Sequence, residues 1–228
     1  MPVKLHPATP ADGPALASIY LSAFHDNPVA ITCFPATTQV RNYLAKSFAE
    51  EMSEPRFQWL IITDPDYEDP DLPIACAKWV RPAGPNETNV EPPPPADVWP
   101  KEGNPEFANH FFGSIGRKHA EIMGEVRHWY LELLICRTEH QGKGAASPLL
   151  RWGVERADEE RRLAFLEAVP LAKGIYEKYG FQSLYRLDFT TPSSGVLSQD
   201  FMLRKGEAVE DYDLVVKRFN ASSSSSSS

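Results

Sequence analysis

From Trp129 to Cys136 the chain is apolar except for a single carboxylate, and from Ser147 to Glu160 apolar residues recur at helical spacing. The first run predicts a strand and the second a helix, joined by the glycine-bearing turn Gln141-Gly142-Lys143-Gly144-Ala145-Ala146. The same reading covers the flanks. Val3 to Ala8 predicts a strand, and Pro10 to Phe24 a turn and helix with Leu16, Ile19, Tyr20 and Ala23 on one face. Thr38 to Met52 predicts a second helix, and Phe57 to Thr63 and Pro73 to Val80 an antiparallel hairpin. Arg81 to Pro105 is rich in proline and predicts an extended surface excursion, followed by a helix over Phe107 to Met123. Leu163 to Val169 predicts a strand, Leu171 to Tyr179 a helix, and Phe181 to Thr190 a half-exposed strand. A last strand is expected near Gln199 to Lys205 or Tyr212 to Lys217. The strand-helix-strand alternation in the second half implies a parallel connection.

The glycine turn carries the first chemical signal. A strand that enters such a turn and opens a helix leaves backbone N–H groups unpaired, where the helix dipole favours an anion. Pro148 lacks an N–H and is tolerated only in the first turn of a helix, so the helix cannot begin much before Gly144. The amides of Gly142 to Ala146 are then free for a ligand. A Walker loop is excluded because Lys143 is followed by Gly144 and not by Ser or Thr. A dinucleotide fingerprint fails at its third glycine, where Ser147 stands.

The pattern Gln141-x-x-Gly144-x-Ala146, with Tyr176-Glu177-Lys178-Tyr179-Gly180-Phe181 downstream, resembles the pyrophosphate loop and the Tyr-x-x-x-Gly-Phe landmark of the GCN5-related N-acetyltransferases (GNAT). The resemblance is strongest from about His128 to Phe189. Two wordings, His128-Trp129-Tyr130-Leu131 and Leu150-Arg151-Trp152-Gly153, resemble fungal small-molecule members. Two positions depart from the family: Ala146 stands where glycine is commoner, and Val169 where Ser or Asn often lies near the coenzyme.

The resemblance implies an α/β (mixed α+β) fold with a central, mostly antiparallel sheet of six to seven strands and helices on both faces. It implies one domain over 1–220 with a proline-rich insertion at about 81–105, ahead of a serine tail at 221–228 expected to be disordered. Its acyl donor is acetyl-CoA. Gln141, Gly142, Lys143, Gly144, Ala145 and Ala146 would hold the pyrophosphate, and backbone N–H groups around Leu134, Ile135 and Cys136 would polarise the thioester carbonyl. Tyr176 would lie beside the sulfur as general acid. Glu167 and Ala168 are further coenzyme neighbours.

Acetyl transfer to an amine needs the neutral amine, and an alkylamine has a pKa of about 10.4, so deprotonation at pH 7 costs about 4 to 5 kcal/mol. Glu132 is the expected general base. It interrupts the apolar strand, and by period two it shares a face with Tyr130, Leu134 and Cys136. The competing structural role is an ion pair with Arg137 or Arg127. Phe24, His25, Asp26, Trp79 and Phe112 are candidates for the acceptor pocket.

Composition narrows the partners. A net charge of −8 argues against nucleic acid and suits a cationic amine. There is no apolar stretch of membrane-spanning length and no signal-peptide pattern, so a cytoplasmic protein without membrane association is expected. The three cysteines read as buried reduced thiols, and the six histidines show no metal-ligand spacing. Two alternatives stay open: a coenzyme-binding sensor or scaffold without catalysis, and a protein N-acetyltransferase.

Overall fold

The computed structural model describes residues 2–88, 95–191 and 195–225. Its strands form one seven-stranded sheet in the order β1-β2-β3-β4-β5-β7-β6. These strands are β1 (Lys4–Pro7), β2 (Phe57–Thr63), β3 (Pro73–Val80), β4 (His128–Cys136), β5 (Leu163–Ala168), β6 (Phe181–Thr191) and β7 (Gly195–Arg204). Every neighbouring pair is antiparallel except β4 with β5. That pair needs a crossover, and the chain supplies it as α5 (Ala146–Glu159). The expected mixed, mostly antiparallel sheet is therefore the observed one.

Helices cover both faces. On one side α5 buries Leu149, Leu150, Gly153, Val154 and Ala157, against Trp79, Trp129 and Leu131 of the sheet. Gly153 makes this approach possible, since a Cβ there would lie 2.1 Å from the Trp79 ring. The Trp79 indole N–H donates to the Leu149 carbonyl at 3.1 Å, satisfying its one polar atom inside the core. The opposite face is covered by α1 (Gly13–Ala23), α3 (Thr38–Glu51) and α4 (Pro105–Met123), packed around Leu16, Ile19, Trp59, Ile61 and Phe111.

The structure departs from the sequence reading in four places. A short helix α2 (Pro28–Cys33) follows α1. Its signal was Asn27-Pro28, with the Asn27 side chain accepting from the Val29 and Ala30 amides and Pro28 in the first turn. The helix expected over Leu171 to Tyr179 shrinks to α6 (Lys173–Glu177). Tyr212 to Lys217, the second option for the last strand, lies instead in helix α7 (Val209–Ser225). There Tyr212, Val215 and Phe219 fall on one helical face and pack on Phe165 and Phe201. The serine run expected to be disordered from 221 is helical as far as Ser225, and 226–228 lie outside the described residues.

Within the proline-rich insertion, residues 89–94 lie outside the described residues. Its second half docks on the protein. Trp99 stacks on Phe112 at 5.2 Å and contacts Phe34 at 6.1 Å, and the Asn104 amide donates to the Thr32 carbonyl at 2.9 Å.

Candidate active site

Strand β4 organises the site because its two halves are paired differently. His128 to Leu131 pair with β5, and Tyr130 and Leu131 pair with β3 as well, but pairing with β5 stops at Leu131, opposite Leu166. Glu132 to Cys136 keep only β3 as a neighbour. The two parallel strands therefore part, and one edge of β4 is left without a strand partner.

A bulge sits at the same point. Lys78 pairs with Leu133 and Trp79 with Leu131, so Glu132 is the extra residue on β4. An extra residue breaks period two, which corrects the expectation that Tyr130, Glu132, Leu134 and Cys136 share a face. Leu134 and Cys136 pack with the α5-side cluster, whereas Tyr130 packs with the cluster on the α4 side. Ile135 points to the α1 and α3 side.

Beyond Cys136 the chain is anchored and then turned. The Arg137 amide donates to the Ile74 carbonyl at 2.9 Å, and its guanidinium Nε to the Pro73 carbonyl at 2.8 Å. The Gln141 side-chain amide donates to the Cys136 carbonyl at 3.1 Å, tying the turn to the strand end. Gly142 and Gly144 have φ of 71° and 85°, the left-handed region that favours glycine. A Cβ at either would meet nothing within 4 Å, so backbone conformation, not crowding, demands glycine here. Among the described residues, the amides of Gly142, Lys143, Gly144 and Ala145 donate to no backbone carbonyl. Ala145 caps α5 without a side-chain acceptor. A capping side chain stabilises a helix by about 1 kcal/mol, so this N-terminus is left in the state that an external anion would complete. Lys143 is exposed beside it.

Tyr176 of α6 lies on the α5 side of the opening, in the same cluster as Leu134, Leu166 and Ala168. It is buried, its ring meets Phe181 edge-on at 6.2 Å, and burial pushes its hydroxyl up to about 12. That hydroxyl makes no hydrogen bond among the described residues. Tyr179 by contrast donates to the Ser147 carbonyl at 3.3 Å, a packing role.

Glu132 emerges on the other side. Its partner is neither Arg137 nor Arg127 but Lys78, at 2.8 Å. Lys78 also reaches Glu51 of α3 at 2.8 Å, and its ammonium sits 4.2 Å from the Phe57 ring centre. Burial opposes the Lys78 charge, and the two carboxylates more than offset it, so its pKa is raised. Burial raises Glu51 against the pull of Lys78. A lysine inside the otherwise apolar strand Pro73 to Val80 was the sequence signal for this cluster.

Glu167 does not face the glycine turn. Its side chain, 8% exposed, accepts from the Tyr130 hydroxyl at 2.7 Å on the α4 side. Burial raises its carboxyl to about 8, and the nearby Glu132 charge adds to this. Trp79 is fully buried beneath α5, which removes it as a pocket residue. Phe112 stacks on Trp99, Phe24 meets Tyr20 edge-on at 4.9 Å, and His25 and Asp26 are exposed. The cysteines are free, and burial raises all three thiols, Cys136 to about 11, which disfavours the nucleophilic thiolate. Among the described residues no group of three or more His, Cys, Asp or Glu could hold a metal ion, and no helix is long and apolar enough to cross a membrane.

Comparison with known proteins meets this geometry at the same segment. The family model described as Acetyltransferase (GNAT) family matches residues 109–181, from α4 through the glycine turn to the start of β6. No curated protein matches the chain. Among solved structures, one from Corynebacterium glutamicum, described as histone acetyltransferase HPA2 and related acetyltransferase, is 22% identical with a TM-score of 0.59. The alignment covers 90% of this chain and 97% of that one. The ribosomal-protein-S18-alanine N-acetyltransferase of Escherichia coli is 14% identical with a TM-score of 0.54, covering 90% and 94%. The NatC complex bound to Gag peptide and CoA gives 16% and 0.52, covering 90% and 99%. At such identities the likeness is one of fold. The GNAT family model thus matches one segment of the chain, residues 109–181, and the solved structures share its fold.

Proposed function

We propose that the protein is an acetyltransferase that moves the acetyl group of acetyl-CoA directly to the amine of a small molecule. The observation that carries this reading is the parting of β4 from β5 beside a glycine turn with unpaired amides. A long thiol ester with a pyrophosphate at one end fits such an arrangement. The pyrophosphate meets the amides of Gly142 to Ala146, with Gln141 bracing the turn and Lys143 adding charge, and the pantetheine arm replaces the missing strand partner of β4. The CoA recorded with the NatC complex is in keeping with this donor.

In the reaction, Glu132 takes one proton from the acceptor ammonium. The neutral nitrogen attacks the thioester carbonyl carbon, and the developing oxyanion receives hydrogen bonds from β4 amides near Leu134, Ile135 and Cys136. The C–S bond then breaks, Tyr176 protonates the departing sulfur, and the second nitrogen proton returns to the Tyr176 oxygen. A thiol of pKa about 8.5 is already a fair leaving group, so this acid need supply only about one to two orders of magnitude in rate. The unbonded Tyr176 hydroxyl favours catalysis over a binding-only role. The resemblance to fungal small-molecule enzymes and the net charge of −8 favour a cationic amine, and buried free thiols suit the reducing cytoplasm.

The test is thiol release from acetyl-CoA against a panel of amines and short peptides, with calorimetry for the donor. Thiol release with small amines and not with peptides is expected. Donor binding without transfer to any acceptor would favour a sensor, and peptide-only transfer would favour a protein N-acetyltransferase.

A further inference from the structure

Two carboxylates and one lysine meet beside the parted stretch of β4, and their charges do not balance. The Lys78 ammonium lies 2.8 Å from Glu132 Oε1 and 2.8 Å from Glu51 Oε2, so the two oxygens are no more than twice that distance apart. The side chain of Lys78 is 5% exposed, that of Glu51 28% and that of Glu132 40%. The lysine is therefore enclosed, while Glu132, at the bulge just past the last β4–β5 pair, presents its carboxylate to solvent.

The other titratable groups facing this cluster add no full charge at neutral pH. Tyr130, near Glu132 on β4, is a phenol that burial and the neighbouring carboxylates raise well above its ordinary value. Tyr43, on the same helix as Glu51, is raised by burial and by Glu51. Burial lifts Glu167 of β5 to about 8, so it is mostly protonated at pH 7. With Lys78 charged and Glu51 and Glu132 ionised, the cluster carries a net negative charge of one elementary unit.

Stability does not account for Glu51. Burial raises its carboxyl above the ordinary 4.5 despite the pull of Lys78, and the Glu132 charge adds to the rise. Such a group contributes stability that is complete below 4.5 and lost as pH rises through the folded value. An ion pair that held the fold together would have the opposite sign. What the Glu51 charge does instead is electrostatic. If Glu132 were the lone partner of Lys78, the pair would be neutral, and a cation arriving at the opening would meet no net charge.

We propose that Glu51 is a positioning residue for the acceptor: it neutralises Lys78 and so leaves the Glu132 carboxylate as the unbalanced charge that seats a single ammonium beside the parted stretch of β4. The bound ammonium brings the cluster to neutrality. This role rests on the acetyl-transfer reading, but the seating of an ammonium is measurable without turnover.

The probe is propylammonium, with propanol as its uncharged counterpart, titrated into the protein in the presence of CoA and followed by the amide NMR signals of Glu132 and Leu133. Propylammonium should shift these signals saturably. In Glu51→Gln its affinity should fall about tenfold, the effect of one unit charge a few ångströms away in a half-exposed site, while any propanol response stays the same. In the double variant Lys78→Met with Glu51→Gln, Glu132 again stands with one unbalanced charge, and the affinity should return toward the original value. Absence of a propylammonium-dependent shift, an unchanged affinity in Glu51→Gln, or a double variant weaker than Glu51→Gln overturns the proposal.

Denaturant unfolding supplies a reading that needs no ligand and keeps the test decisive if the double variant does not fold. From about pH 4 to pH 8, Glu51→Gln should gain stability relative to the unmodified protein; a loss that grows with pH assigns Glu51 to the fold alone. In turnover, Glu51→Gln should raise KM for the amine about tenfold and leave kcat and KM for acetyl-CoA in place. Should propylammonium behave as expected and no amine be acetylated, the acetyl-transfer reading alone falls.

Discussion

The two faces of the sheet meet at one opening and carry opposite chemistry there. On the α5 side the residues around the parting strands are apolar, Leu134, Leu166, Ala168 and Phe181, and the Tyr176 hydroxyl sits among them unbonded. On the α3 and α4 side the same strands present Lys78 between Glu51 and Glu132, and Glu167 between Tyr130 and His119. The apolar side raises a hydroxyl by drying it. The polar side holds negative charge by pairing it, which suits a cation that must lose a proton. The buried hydroxyl and the paired carboxylates are thus kept on opposite sides of the parting strands.

The comparison can be broken most forcefully on the polar side. Lys78→Met should cost about 3 to 5 kcal/mol at neutral pH, because Glu51 is left partly buried without its cation. Glu51 is already raised, so protonation should restore stability as pH falls, and denaturant unfolding at pH 5 and pH 8 would show it. Equal losses at both values would mean that packing, not charge, is what Lys78 supplies.

Next in size is Gly144→Glu, which adds negative charge and a side chain at φ 85°. Acetyl-CoA affinity should fall about 100-fold or more, equivalent to about 2.7 kcal/mol by calorimetry, with the fold unchanged by circular dichroism. Retained affinity would remove the anion role of the turn. On the apolar side, Tyr176→Phe should lower kcat about 10- to 100-fold without changing the affinity for acetyl-CoA. Wild-type turnover in that variant would leave Tyr176 as packing only.

The smallest effect is expected for Glu132→Gln, an upward shift of the pH optimum with amine acceptors and a fall of about tenfold in kcat/KM at pH 7. A smaller change here than at Tyr176 would sharpen the contrast between a side with one acid and a side with two carboxylates. An unaltered pH profile would assign Glu132 to the Lys78 ion pair alone.

Much of this molecule was legible locally. The period of Leu149, Leu150, Val154 and Ala157 marked α5, Pro148 limited where it could begin, and Gly142 and Gly144 marked the turn ahead of it. These features depend on residues a few positions apart. Helix α7 was misread in part as a strand because a short apolar-polar stretch fits both periods, and only its seat on Phe165 and Phe201 decided between them. The face assignment of β4 failed for a related reason, since a bulge is a property of two strands and Lys78 and Trp79 lie far from Glu132 in the chain.

The sequence by itself determined most of the elements and the glycine turn, because local backbone preference and hydrophobic period act over single turns and strands. Tertiary structure alone decided that β4 parts from β5 after Leu131, that Lys78 holds Glu132, and that His119 reaches Glu167. Those outcomes depend on which distant segments share a strand edge and how deeply they are buried, and in a low-dielectric interior burial and partner choice set the protonation of each group.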